Sequence, residues 1–96
     1  MEDKQKKIEI KVDSEFVSEV YSNLAVISHN ENEFVMDFIF VHPPKGKLNA
    51  RVIMSPSHAK QFAKAMAENI EKYESKVGAI KKTPEPPAMG IEFSKN

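Results

Sequence analysis

Phe34-Val-Met-Asp-Phe-Ile-Phe-Val-His42 is the most apolar stretch of the chain, and one carboxylate, Asp37, stands inside it. A carboxylate among aliphatic and aromatic side chains needs a partner, because desolvating it alone is costly. If a hairpin pairs His42 with Gly46, Arg51 falls directly opposite Asp37. Asn23 then becomes a diagonal neighbour on the other side. This predicts a cross-strand ion pair with a structural or interface role. A catalytic acid would need a nucleophile or a second perturbed acid beside it. Neither is visible, so no catalytic residue is assigned and the protein is expected not to be an enzyme.

The remaining chemistry-bearing residues form no recognisable set. His29 and His58 belong toward one end of the expected sheet and His42 toward the other. Two of them with Glu31 or Glu33 could hold a metal, but the spacing fits no standard ligand pattern. His58 reads more simply as a capping or surface residue, so no metal and no cofactor is assigned. Pro84-Glu85-Pro86-Pro87 contains a PxxP match, which in isolation reads as a stiff spacer. Lys81-Lys82 is too short for a nucleic-acid or membrane patch. There is no Gly-rich phosphate loop, no nucleophile elbow and no helical His-Glu-x-x-His.

Composition narrows the class. The 96 residues have 14 basic and 14 acidic side chains and no cysteine. Disulfides, zinc thiolates and thiol nucleophiles are therefore absent, and a reducing, cytoplasmic setting is expected. No apolar run reaches the roughly 18 residues of a membrane span, and the charged start does not resemble a signal peptide. Residues 1–50 carry nine acids and six bases, and residues 51–96 carry five acids and eight bases. A nucleic-acid binder would need a clearer basic excess to neutralise phosphates. That role is the weaker alternative, with Lys60, Lys64, Lys72, Lys76 and residues 81–82 as its contacts.

These residues must be positioned by a small number of elements. Residues 1–7 read as a disordered charged arm. Residues 8–12, Ile-Glu-Ile-Lys-Val, alternate with the two-residue period of a strand. Residues 13–19 form a connection, with Asp13 and Ser14 able to cap a helical turn and Phe16 and Val17 tucked inward. Strands follow at 20–29, 33–42 and 48–54. Asn30-Glu31-Asn32 and Pro44-Lys45-Gly46-Lys47 are the expected turns, and Pro43-Pro44 must end the middle strand.

Ser55 is a natural N-cap and Pro56 suits the first helical position. Apolar residues then recur at Ala59, Phe62, Ala63, Met66, Ile70, Tyr73 and Val77, one stripe of an amphipathic helix. Gly78 is its expected stop, for a helix of about 22 residues and roughly 33 Å. The predicted fold is therefore α+β: an antiparallel meander of three to four strands followed by one long amphipathic helix. A single domain spans 8–78, and residues 79–96 form a Pro-rich tail, with 91–93 the candidate for a short docked strand.

Pairing His29 with Glu33 would place even-numbered residues on one side of the sheet and odd-numbered residues on the other. The even side supplies the expected core: Leu24, Val26, Phe34, Phe38, Phe40 and Val52, covered by Phe62, Met66 and Ile70 of the helix. Phe38 is expected to be its most sensitive position. The odd side carries Tyr21, Asn23, Ile27, Val35, Asp37, Ile39, Arg51 and Ile53. It is too apolar for water yet holds an acid, a base and an amide, the mixture of a subunit interface.

Glu19-Val-Tyr-Ser-Asn-Leu-Ala-Val-Ile-Ser-His29, Glu33-Phe-Val-Met-Asp-Phe38, Arg51-Val-Ile-Met-Ser-Pro-Ser-His-Ala-Lys60 and Asn69-Ile-Glu-Lys-Tyr-Glu74 resemble a prokaryotic family. It is the domain-of-unknown-function family numbered 3467, with the Pro-rich tail lying outside the resemblance. The likeness implies no activity. The element order also resembles subunits of the SecB export chaperone, by analogy of architecture only. The expected function is a homodimeric interaction or adaptor module that binds itself and an unidentified protein partner. A chaperone-like holder of apolar segments is the alternative within that class.

Overall fold

The computed structural model describes residues 7–12, 19–83 and 92–94. Its elements run β1 (Leu24–His29), β2 (Phe34–His42), β3 (Lys45–Met54) and α1 (Pro56–Lys76). The strands form one antiparallel sheet in the order β1-β2-β3. The chain divides into two compact units, Met1–Ala59 with the sheet and Lys60–Asn96 with most of α1. The connection expected at 13–19 lies outside the described residues except for Glu19. So do residues 1–6 of the arm and 84–91 of the tail. Glu92 and Phe93 have no regular structure.

Both turns differ from expectation, and the differences matter. Asn30 closes the first hairpin. Its Oδ1 accepts hydrogen bonds from the amides of Asn32 (2.8 Å) and Glu33 (2.9 Å). Its own amide donates to the Glu33 carbonyl at 3.0 Å. Asparagine in this role mimics a backbone turn, and here it sets a four-residue connection. His29 consequently pairs with Phe34, not Glu33. A shift of one residue moves a whole strand's side chains to the opposite face.

In the second hairpin Pro43 and Pro44 alone form the turn, and Lys45, Gly46 and Lys47 belong to β3. Each proline ring presets its own φ. His42 therefore pairs with Lys45, one residue earlier than expected. The ladder then shifts between Phe38 and Ile39, because Ile39 pairs with Leu48 while Phe38 pairs with Ala50. Asn49 is the extra residue, a β-bulge. The bulge cancels the turn's offset, so Asp37 does face Arg51.

The faces therefore differ from the even and odd sides of the sequence. Paired residues share a face. Leu24 and Val26, expected in the core set, lie with Val35, Asp37, Ile39, Leu48, Arg51 and Ile53. Ile27, expected with Asp37, instead lies with Phe34, Met36, Phe38, Ala50, Val52 and Met54. Among the described residues the buried ones are Met36, Asp37, Ile39 and Met54, while Phe38 is half-buried between Ala25 and Ala50. Residues 8–12 join no ladder, so the sheet has three strands among the described residues.

The helix follows its boundary signals closely. Ser55 Oγ accepts a hydrogen bond from the His58 amide at 3.1 Å, and the Ser55 carbonyl takes the Ala59 amide at 2.9 Å. This is the N-cap arrangement. At the other end the Val77 amide reaches the Tyr73 carbonyl at 2.8 Å, and Gly78 adopts φ +132°. That conformation favours glycine and halts the helix. Glu74 Oε2 also accepts the Ile80 amide at 2.9 Å. The apolar stripe holds Phe62, Met66, Ile70, Tyr73 and Val77, all exposed.

Replacing the cap tests this account of the helix start. Ser55→Ala should lower stability by about 1 kcal/mol, read as a lower urea midpoint in far-UV circular dichroism. Ser55→Asp should retain most of the stability.

Candidate functional site

The central polar feature is built by two neighbouring strands. Asp37 lies mid-way along β2, only 5% exposed. Arg51 on β3 meets it in a two-pronged contact: Nε donates to Oδ1 at 2.7 Å and Nη2 donates to Oδ2 at 2.9 Å. A planar guanidinium matches a carboxylate in this parallel geometry. The Arg51 side chain remains 53% exposed. The pair thus joins a buried carboxylate to a guanidinium that reaches the surface.

Each partner favours the other's charge. The hydrogen bond from Arg51 holds the Asp37 carboxyl below its ordinary value of 3.8; burial opposes this, and the positive charge of Arg51 assists it. The hydrogen bond to Asp37, helped by its negative charge, raises Arg51 above its ordinary value. Asp37 is consequently a fixed anion at neutral pH. That is the reverse of what a general acid requires.

A second polar group secures the start of β1. Asn23 Oδ1 accepts the Val41 amide at 2.8 Å, and its Nδ2 donates to the Val41 carbonyl at 2.9 Å. The side chain stands in for a peptide group and prolongs the ladder. The Asn23 amide also reaches the Ile39 carbonyl at 3.1 Å. Ser22 Oγ donates toward the carbonyls of Leu24 (3.0 Å) and Ile39 (3.2 Å). Asn49, at the bulge, donates from Nδ2 to the Tyr21 carbonyl at 2.8 Å. The Tyr21 ring meets Phe40 edge-on, with centroids 5.9 Å apart.

The expected diagonal contact between Asn23 and Asp37 is therefore corrected: Val26 faces Asp37, and Asn23 binds the backbone of Val41. Val35, Asp37, Ile39, Arg51 and Ile53 do share one face, which Leu24 and Val26 join. On it Ile53 is 56% exposed, while Ile39 is buried. On the opposite face Ile27 is 59% exposed, and Phe40 and Val52 are exposed too. Phe34 stacks on His29 at 5.2 Å. The roles of Ser22 and Asn49 carried no signal in the sequence, because each depends on a contact to chain far away.

The other candidate chemistry stays dispersed. His58 belongs to the helix cap and His42 to the opposite end of the sheet. No three His, Asp or Glu side chains come together as a metal site among the described residues. An open concavity of about 400 Å³ lies at the second hairpin, lined by Phe40, His42, the two prolines, Lys45, Gly46 and Lys47. No described helix is long and apolar enough to cross a membrane.

The architecture is that of a small α+β protein, a three-stranded meander followed by one helix, with a paired carboxylate at its centre. The chain belongs to the family DUF3467, described as protein of unknown function, whose model matches residues 1–82. No curated protein and no solved structure matches the chain. The architectural likeness to SecB subunits therefore has no structural match behind it.

Acid titration checks the pair. The folded-state value of Asp37 is depressed, so its contribution is complete above the unfolded value near 3.9 and is lost as pH falls through the folded one. Urea midpoints measured from neutral to acidic pH should fall along that limb, and Asp37→Asn should flatten it. Arg51→Met should raise the Asp37 carboxyl value, visible by NMR titration.

Proposed function

We propose that the protein is a non-enzymatic homodimer that acts in the cytoplasm as an interaction or adaptor module. One observation carries this reading: the sheet presents large apolar side chains on both faces. Leu48 and Ile53 are exposed on the side of the ion pair. Ile27, Phe40 and Val52 are exposed on the other. A monomeric protein rarely leaves extended apolar surface on two sides of a layer, and such surface marks interfaces.

The Asp37 face is the proposed contact between copies. It combines an apolar field with one charged pair whose carboxylate is met twice, so the only group left for a partner to satisfy is the guanidinium's remaining donors. A two-fold dimer would bring the same surface of each copy together. The unaltered balance of charge, zero overall, also suits self-association better than capture of a strongly charged ligand. The second face and the α1 stripe would then serve a protein partner.

Light scattering after size exclusion tests the proposal, with a dimer expected at micromolar protein. A monomer that persists across that range overturns it. Ile53→Asp should weaken self-association by roughly tenfold or more, because it puts a charge into apolar contact, and should leave the circular dichroism spectrum unchanged.

A further inference from the structure

β3 is an edge strand: among the described residues it pairs only with β2, leaving its outer backbone rim open. Residues Ile8-Glu9-Ile10-Lys11-Val12 keep a strand's alternation yet join no ladder. Their apolar members are the most exposed large apolar side chains among the described residues, Ile8 at 85%, Ile10 at 80% and Val12 at 73%. The bond from Asn49 to the Tyr21 carbonyl brings the chain that follows this segment alongside β3. We infer that Ile8–Val12 of one protomer adds as a strand to the outer edge of β3 in a second copy, with Glu9 beside Arg51.

Charge selects the edge and the facing. Arg51 spends Nε and Nη2 on Asp37 and keeps Nη1 for another acceptor, since a guanidinium carries five donors. An added strand aligns its side chains with those of its neighbour, face by face. Glu9 on the Asp37 face would extend the pair into a row of carboxylate, guanidinium and carboxylate. Strand alternation then directs Ile8, Ile10 and Val12 to the opposite face, beside Val52. Val52 is itself exposed there. The opposite facing would set Glu9 and Lys11 among Val52 and Met54, against an apolar surface.

The occupant is a second copy. In its own protomer the segment lies exposed, and eight residues separate Val12 from Tyr21, a reach of roughly 30 Å when extended. Two copies can therefore exchange arms reciprocally, and an open edge is a template for such pairing. The inference rests on the dimer proposed above.

The absence of cysteine makes crosslinking unambiguous. Full-length Ile10→Cys, carrying a tag, is mixed with untagged Ala50→Cys, Val52→Cys or Met54→Cys and mildly oxidised. The expected product is a tagged–untagged disulfide at one of these positions; separately, Ile10→Pro or Glu9→Arg in the otherwise unaltered chain is expected to give a roughly tenfold weaker dimer by scattering. A doubly substituted chain that closes only on itself overturns the exchange. A dimer by scattering with no crosslink also overturns it, while leaving the dimer in place. A monomer by scattering overturns both.

Discussion

A carboxylate on the middle strand of a three-stranded sheet has neighbours on both sides and little water, so its position constrains everything around it. Asp37 is tolerated there because Arg51 meets it with two hydrogen bonds, of 2.7 and 2.9 Å. Arg51 in turn must stand directly opposite, which fixes the register of β2 against β3. The two-residue proline turn alone would set that register one position off. The bulge at Asn49 restores it. Turn, bulge and ion pair are thus one constraint expressed three times. The bulge also frees the Asn49 side chain to hold the Tyr21 carbonyl, tying the chain before β1 to the far edge of the sheet.

How much of this could be read in the residues depends on the range of the signal. The helix was legible because its signals are local: Ser55 and Pro56 begin it, a three-and-four spacing sustains it, and Gly78 ends it. The Asp37–Arg51 pair was legible because a buried acid demands a base. The turns were not. Asn30 marks a turn by its type, but whether it closes three or four residues depends on which amides its side chain takes, and that single residue decides which face Leu24, Val26 and Ile27 occupy. Asn49 resembles any other strand asparagine, since a bulge of this kind needs no glycine.

Residues 8–12 mark a different limit. Their alternation announces a segment with one apolar side, but alternation does not name the edge that receives it. A strand is made by its neighbour's hydrogen bonds as much as by its own residues. Here the chain leaves the segment in the open, and the pattern is a statement about a surface it could join.

The same reasoning links the ion pair to assembly. A pair sealed inside the chain would bind nothing further, whereas this one has a buried end and an exposed end, with Arg51 spanning the two. Its buried end specifies register within the chain. Its exposed end presents donors amid aliphatic side chains, where an incoming carboxylate would be recognised by direction as well as by charge. Apolar faces alone would associate in many registers. A single oriented guanidinium among them restricts the choice, as a lone polar residue does in an otherwise apolar helical seam. The interaction that makes the middle strand possible is thus also the feature best placed to decide how a second chain sits against it.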